Sequence, residues 1–156
     1  MYQYVRLWMS PDGLALLKEW EGCKLKAYLD TGGVWTIGYG HTATAHRGME
    51  ITQLRAEELL LQYDLPQYEE AVNKYVTVAL SQRQFDALVV FCYNIGVNAF
   101  KDSTLVKVLN KGWYGEVQEQ FMRWVYDNKK RIEGLANRRE AEAKLFNRGI
   151  FNGPPS

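Results

Sequence analysis

The chain has 156 residues, 47% of them apolar and 24% charged, with a formal net charge of +1. That balance excludes a disordered chain, and the length suits one domain with a real core. So small a net charge gives poor support to nucleic-acid binding, for which no motif is present.

The N-terminal MYQYVRLWMS has no basic segment followed by an apolar run, so no signal peptide is expected. It is also too short and too polar for a signal-anchor. No stretch of about 20 apolar residues occurs, so neither a transmembrane helix nor stable membrane insertion is expected. Ser10-Pro11-Asp12 reads as a helix start: a capping hydroxyl, a proline in the first turn and an acid at the positive helix end. Leu14, Leu17 and Trp20 or Glu21 continue one face, and Gly22 is a natural stop, which leaves Glu21 in the last turn.

Residues 24–40 lose the helical period, and KLKAYL, the turn DTGG and VWTIGYG predict a β-hairpin. A loop over 42–51 leads to Thr52 as cap of the helix QLRAEELLLQYDL, which Pro66 kinks or restarts before QYEEAVNKYV. Ser81-Gln82-Arg83-Gln84 has the form of a capping box. Phe85, Leu88, Val89 and Cys92 follow at helical spacing while Val90 and Phe91 fill other faces, which predicts a central helix ended by Gly96. Ser103 starts another helix through Leu105, Val108 and Leu109, with Gly112 after it. Val117, Phe121, Trp124 and Val125 form a further stripe. LANRREAEAKLF is the last helix, stopped by Gly149, and the tail NGPPS is expected to be loose. The organisation is α+β: one domain over 1–156, with a mixed lobe over about 10–65 and a helical lobe over 66–150.

Residues 20–42, WEGCKLKAYLDTGGVWTIGYGHT, carry the chemistry. Alternation along VWTIGYG sends Trp35, Ile37 and Tyr39 to one face and Val34, Thr36, Gly38 and Gly40 to the other. The small face either admits a ligand or uses its glycines for a bend. Glu21 faces the negative end of its helix, and Trp20 and Trp35 offer an apolar wall; both favour the protonated carboxyl that a general acid needs. Asp30, in a polar turn, is expected to stay ionised or simply to bind backbone N–H groups. Two carboxyls in unlike environments are what glycoside hydrolysis uses.

Glu, eight residues, Asp, five residues, Thr, set in WEG, AYLD and WTIGYGHT, resembles the tailed-phage lysozymes of glycoside hydrolase family 24. QFDALVVFCYNIG with AFKDSTLVKVLNKG, and GLANRREAEAKLF, resemble that family's central, next and last helices, so the resemblance covers roughly residues 10–150. It implies a lysozyme-like fold with a cleft between the lobes, and peptidoglycan as substrate. The bond cut is the β-1,4 link between N-acetylmuramic acid and N-acetylglucosamine. Glu21 then matches the general acid, Asp30 the residue that activates water with inversion, and Thr36 the hydroxyl that holds that water. Thr42, Tyr93, Asn94 and Ser103 match sugar-contacting positions, and His41 is expected to pair with Asp64 and brace hairpin against helix. The implied setting is the host cytoplasm, then the periplasm after release through a holin pore, as a monomer.

Two rival readings stand beside it. A lytic transglycosylase needs one acid and leaves anhydro sugar ends. A non-catalytic wall- or membrane-binding protein would use the second half, where 12 basic and 8 acidic side chains over 77–156 give +4 against −3 over 1–76. Lys129, Lys130, Arg131, Arg138 and Arg139 are candidates for anionic polymers, but Asp127, Glu133, Glu140 and Glu142 interleave with them as on a solvated face. Cys23, Cys92 and two histidines lack metal-ligand spacing, so no metal or cofactor is expected and both cysteines read as reduced thiols.

Overall fold

A computed structural model of the chain describes residues 5–150, with backbone alone at 149 and 150. The expected loose tail, NGPPS, lies outside the described residues. The chain divides into two compact units: Ala15–Gln67, and the chain on either side of it.

In the unit Ala15–Gln67, helix α1 (Pro11–Glu21) delivers its last two turns and ends at Gly22, which takes φ +65° and donates to Lys18 O at 2.9 Å. Strands β1 (Lys24–Leu29) and β2 (Trp35–Gly38) form the antiparallel hairpin, with Tyr28 opposite Thr36 and Leu29 opposite Trp35. The loop after it is less irregular than its sequence implies. It returns along β1, with Lys26 bridging Glu50, Ala27 N bonding Met49 O and Ile51 N bonding Leu25 O, each of these bonds at 2.9 Å. Thr52 caps α2 (Gln53–Glu58) by accepting from Arg55 N at 3.1 Å.

Pro66 does not break the helix. The six residues Leu59–Asp64 take a π-helical register, and α3 (Leu65–Tyr75) resumes with Pro66 in its first turn. Leu65 N reaches back five residues to Leu60 O. A wider turn ahead of the proline accommodates a ring and a missing N–H that a regular helix interior would not.

The other unit is mainly helical. Its centre is α4 (Gln82–Ile95), opened by the full Ser81–Gln84 capping box and buried from Gln84 to Cys92. Around it lie α5 (Val97–Asp102), α6 (Thr104–Asn110), a 3-10 turn (Tyr114–Glu116), α7 (Val117–Phe121) and α8 (Glu133–Ile150). Phe91 sits among Phe100, Phe121 and Trp124 with ring centroids 5.1–6.3 Å apart, all edge-on, an arrangement favoured by the ring quadrupoles.

Three expectations need correction here. The stripe from Val117 to Val125 is not one helix: α7 stops at Phe121, and a second hairpin of β3 (Tyr126–Asp127) and β4 (Lys130–Arg131) comes after it. Its turn residues Asn128 and Lys129 both have positive φ, the signature of a two-residue primed turn. Gly149 does not stop α8, which runs to Ile150. Arg138, Arg139 and Glu142 are buried, not solvated. Glu142 accepts from Arg138 Nε at 3.1 Å and from Arg139 Nη1 at 2.5 Å, while Arg138 and Arg139 also donate to the carbonyls of Val90 and Trp124. Burial pushes the Glu142 carboxyl up, and the two guanidiniums pull it down.

Candidate active site

Glu21 is the last residue of α1, partly exposed. Asp30 comes directly after β1, and its Oδ1 accepts from Gly32 N and Val34 N, both at 2.8 Å, closing the turn. Those bonds hold the carboxylate in one orientation, and its Oδ2 accepts no hydrogen bond from the described residues. Thr36, in β2, is 5% exposed, and its hydroxyl donates to Val34 O at 3.0 Å. The oxygen keeps lone pairs that can accept from a water.

The small face of β2 is not an open floor. Gly38 and Gly40 have φ +64° and +81°, so they serve a turn. Through it Ile37 and His41 exchange backbone hydrogen bonds of 2.9 and 2.8 Å. That second turn sets His41, 1% exposed, facing the π-helical segment. His41 Nδ1 lies 2.8 Å from Asp64 Oδ2, and Nε2 lies 2.7 Å from the Thr44 hydroxyl and 3.2 Å from Thr44 N. Burial pushes the Asp64 carboxyl up, against the pull of the His41 contact. Thr42 is exposed beside this turn.

Tyr93, Asn94 and Ser103 belong to the helical unit. Tyr93 is partly exposed against Tyr68, ring centroids 4.7 Å apart. Asn94 is exposed, and its Oδ1 accepts from Arg139. Ser103 is 4% exposed and caps α6: its hydroxyl donates to Phe100 O at 2.7 Å and accepts from Val106 N at 3.2 Å.

Sequence reasoning passed over Tyr28. It lies directly opposite Thr36 and two residues before Asp30, so all three share a face of the hairpin. Its phenol is pushed up by burial, then by the charge of Glu21, then by that of Asp30. Strand alternation counted back from Asp30 would have found it.

Among the described residues, no three His, Cys, Asp or Glu side chains gather as a metal site, and no helix is long and apolar enough to cross a membrane. Both cysteines are free thiols, with Cys92 pushed up to about 12 by burial.

A small hairpin unit and a mainly helical one, with an acid closing the first helix and another in the hairpin turn, define a lysozyme-like fold. The phage lysozyme family model matches residues 18–142. The chain is 42% identical over 142 residues to an endolysin of Acyrthosiphon pisum secondary endosymbiont phage 1, covering 88% of this chain and 97% of that one. It is 39% identical over 143 residues to an endolysin of Bacillus phage PZA, covering 90% of this chain but only 55% of that longer one. Among solved structures, the muramidase domain of SpmX from Asticaccaulis excentricus superposes with TM-score 0.84 at 39% identity, over 90% of this chain and 98% of that one. An endolysin from Escherichia coli O157:H7 phage FAHEc1 gives TM-score 0.84 at 36% identity, over 99% and 100%. The chain belongs to the phage lysozyme family, and so to the lysozyme hydrolases.

Proposed function

We propose that the chain is a phage endolysin that hydrolyses the β-1,4 bond between N-acetylmuramic acid and N-acetylglucosamine in peptidoglycan. The observation that carries this reading is the grouping around Tyr28: Thr36 opposite it, and Glu21 and Asp30 as the two charges its phenol feels. In this reading Glu21 protonates the leaving oxygen. Asp30, whose Oδ1 is tied to the turn, uses Oδ2 to take a proton from water, and the Thr36 oxygen accepts a hydrogen bond from that water's other O–H. Water attacking from the face opposite the leaving group gives inversion at the anomeric carbon. Thr42, Tyr93 and Asn94 serve as sugar contacts, whereas Ser103, its hydroxyl already engaged, acts by holding α6. No cofactor enters this acid–base chemistry. The protein works as a monomer, accumulates in the host cytoplasm and reaches the wall through a holin pore.

The test monitors the turbidity of chloroform-permeabilised Gram-negative walls with wild type and Glu21→Gln, and identifies the released ends. Clearing by wild type alone, with hydrated reducing muramic ends of inverted configuration, is expected. Anhydro ends would make the protein a transglycosylase, and equal clearing by both proteins would move the active site elsewhere.

A further inference from the structure

Three features of Tyr28 have no role in the proposed acid–base chemistry. Its side chain is 38% exposed at the hairpin surface, large for a position facing the catalytic groups. Its hydroxyl makes no hydrogen bond with any described residue. It occupies the face that also carries Asp30 and Thr36, and besides burial two carboxylates from different elements, Glu21 and Asp30, act on it. An unengaged phenol O–H that feels two acids is a poor structural device, because a strand needs only the ring. It is a suitable donor to a neutral ligand rich in hydroxyl and carbonyl oxygens. Burial, and after it the charges of Glu21 and Asp30, push its phenol up, so it stays a donor.

Resting on the proposed active site, we propose that the Tyr28 hydroxyl is a substrate-contacting group that donates a hydrogen bond to an oxygen of the sugar held between Glu21 and Asp30. The contact exists in the bound ground state as well as during reaction. Its loss therefore weakens binding more than turnover.

The experiment uses the whole chain and a soluble tetrasaccharide of alternating N-acetylglucosamine and N-acetylmuramic acid. Tyr28→Phe removes only the O–H. It is expected to raise KM about 3- to 10-fold, the usual range for one neutral hydrogen bond, with kcat within about twofold of wild type. The thermal midpoint is expected to stay unchanged. In parallel, Glu21→Gln protein labelled with 13C at tyrosine Cζ is titrated with the same tetrasaccharide. The Tyr28 resonance, assigned by its absence from the Tyr28→Phe spectrum or by Tyr28→Leu if that variant does not fold, is expected to shift on binding. Wild-type KM in Tyr28→Phe, or a Tyr28 resonance indifferent to a bound tetrasaccharide, overturns the proposal. If Glu21→Gln cleaves at the wild-type rate, the active-site assignment itself fails and the proposal falls with it; an inactive Glu21→Gln beside a fully active Tyr28→Phe rejects the Tyr28 contact alone.

Discussion

His41 and Asp64 meet across 23 residues, Nδ1 to Oδ2 at 2.8 Å, and join the turn after β2 to the π-helical segment. The histidine side chain is 2% exposed and the aspartate 15%, so solvent cannot replace either partner at once. Asp64→Ala is expected to cost about 2–3 kcal/mol, the value of a buried hydrogen bond to a charged group plus the penalty of an unmet ring N–H. Urea unfolding of the two proteins measures it. A difference below about 0.5 kcal/mol would show the contact to be idle.

Lys18 Nζ lies 2.5 Å from Glu57 Oε2, while Tyr39 and Gln53 hold Oε1. Lys18 in particular holds the Glu57 carboxyl below its ordinary value of 4.5. A depressed folded value means that the stabilisation is complete above the unfolded value and is lost as pH falls through the folded one. The stability advantage of wild type over Glu57→Gln is therefore expected to be constant near neutrality and to shrink below pH 4.5. Asp64 and Glu142, pushed up by burial, act with the opposite sign: the fold keeps their protons longer than the unfolded chain does, so they lower stability as pH rises. Denaturant midpoints across an acid series separate these contributions, and an advantage that grows on acidification would contradict the Glu57 assignment.

Gly38 has φ +64°, yet a Cβ there would meet only ordinary contacts, Ala56 Cβ at 3.6 Å being the nearest. The cost of Gly38→Ala is therefore backbone strain, about 1–2 kcal/mol. Gly115→Ala, in open space without positive φ, is the control and should stay within about 0.5 kcal/mol of wild type. Calorimetric midpoints of the two variants that coincide would remove the turn as the reason for that glycine.

Glu142 is fully buried and is shared by Arg138 and Arg139. Removing one partner of a buried charge cluster typically costs about 3–5 kcal/mol, and Glu142→Ala is expected in that range. The replacement of the whole trio by apolar residues of like volume is expected to cost far less, which equilibrium unfolding of the triple variant would show.

The legible parts of this chain were those written in local chemistry. The caps at Ser10, Thr52, Ser81 and Ser103, the stop at Gly22 and the first hairpin are decided by neighbours within a few residues. The hidden parts depend on distance or on small departures from period. The hairpin at Tyr126–Arg131 is two pairs long, with a turn of Asn and Lys rather than Asn and Gly. Arg138 and Arg139 look solvent-facing in a run of charges until Val90 and Trp124, from elsewhere in the chain, supply their carbonyls. Tyr28 was overlooked because alternation was read along β2 and not across to its partner strand.

The π-helical stretch Leu59–Asp64 also speaks to how the chain tolerates length change. A π turn is a helix that has gained a residue without surrendering either end. Deleting Tyr63 should let Leu59–Leu65 relax into ordinary α register at little cost to the turns on either side. Such a segment lets a helix absorb a change of length locally instead of passing a rotation of roughly 100° per residue to everything after it.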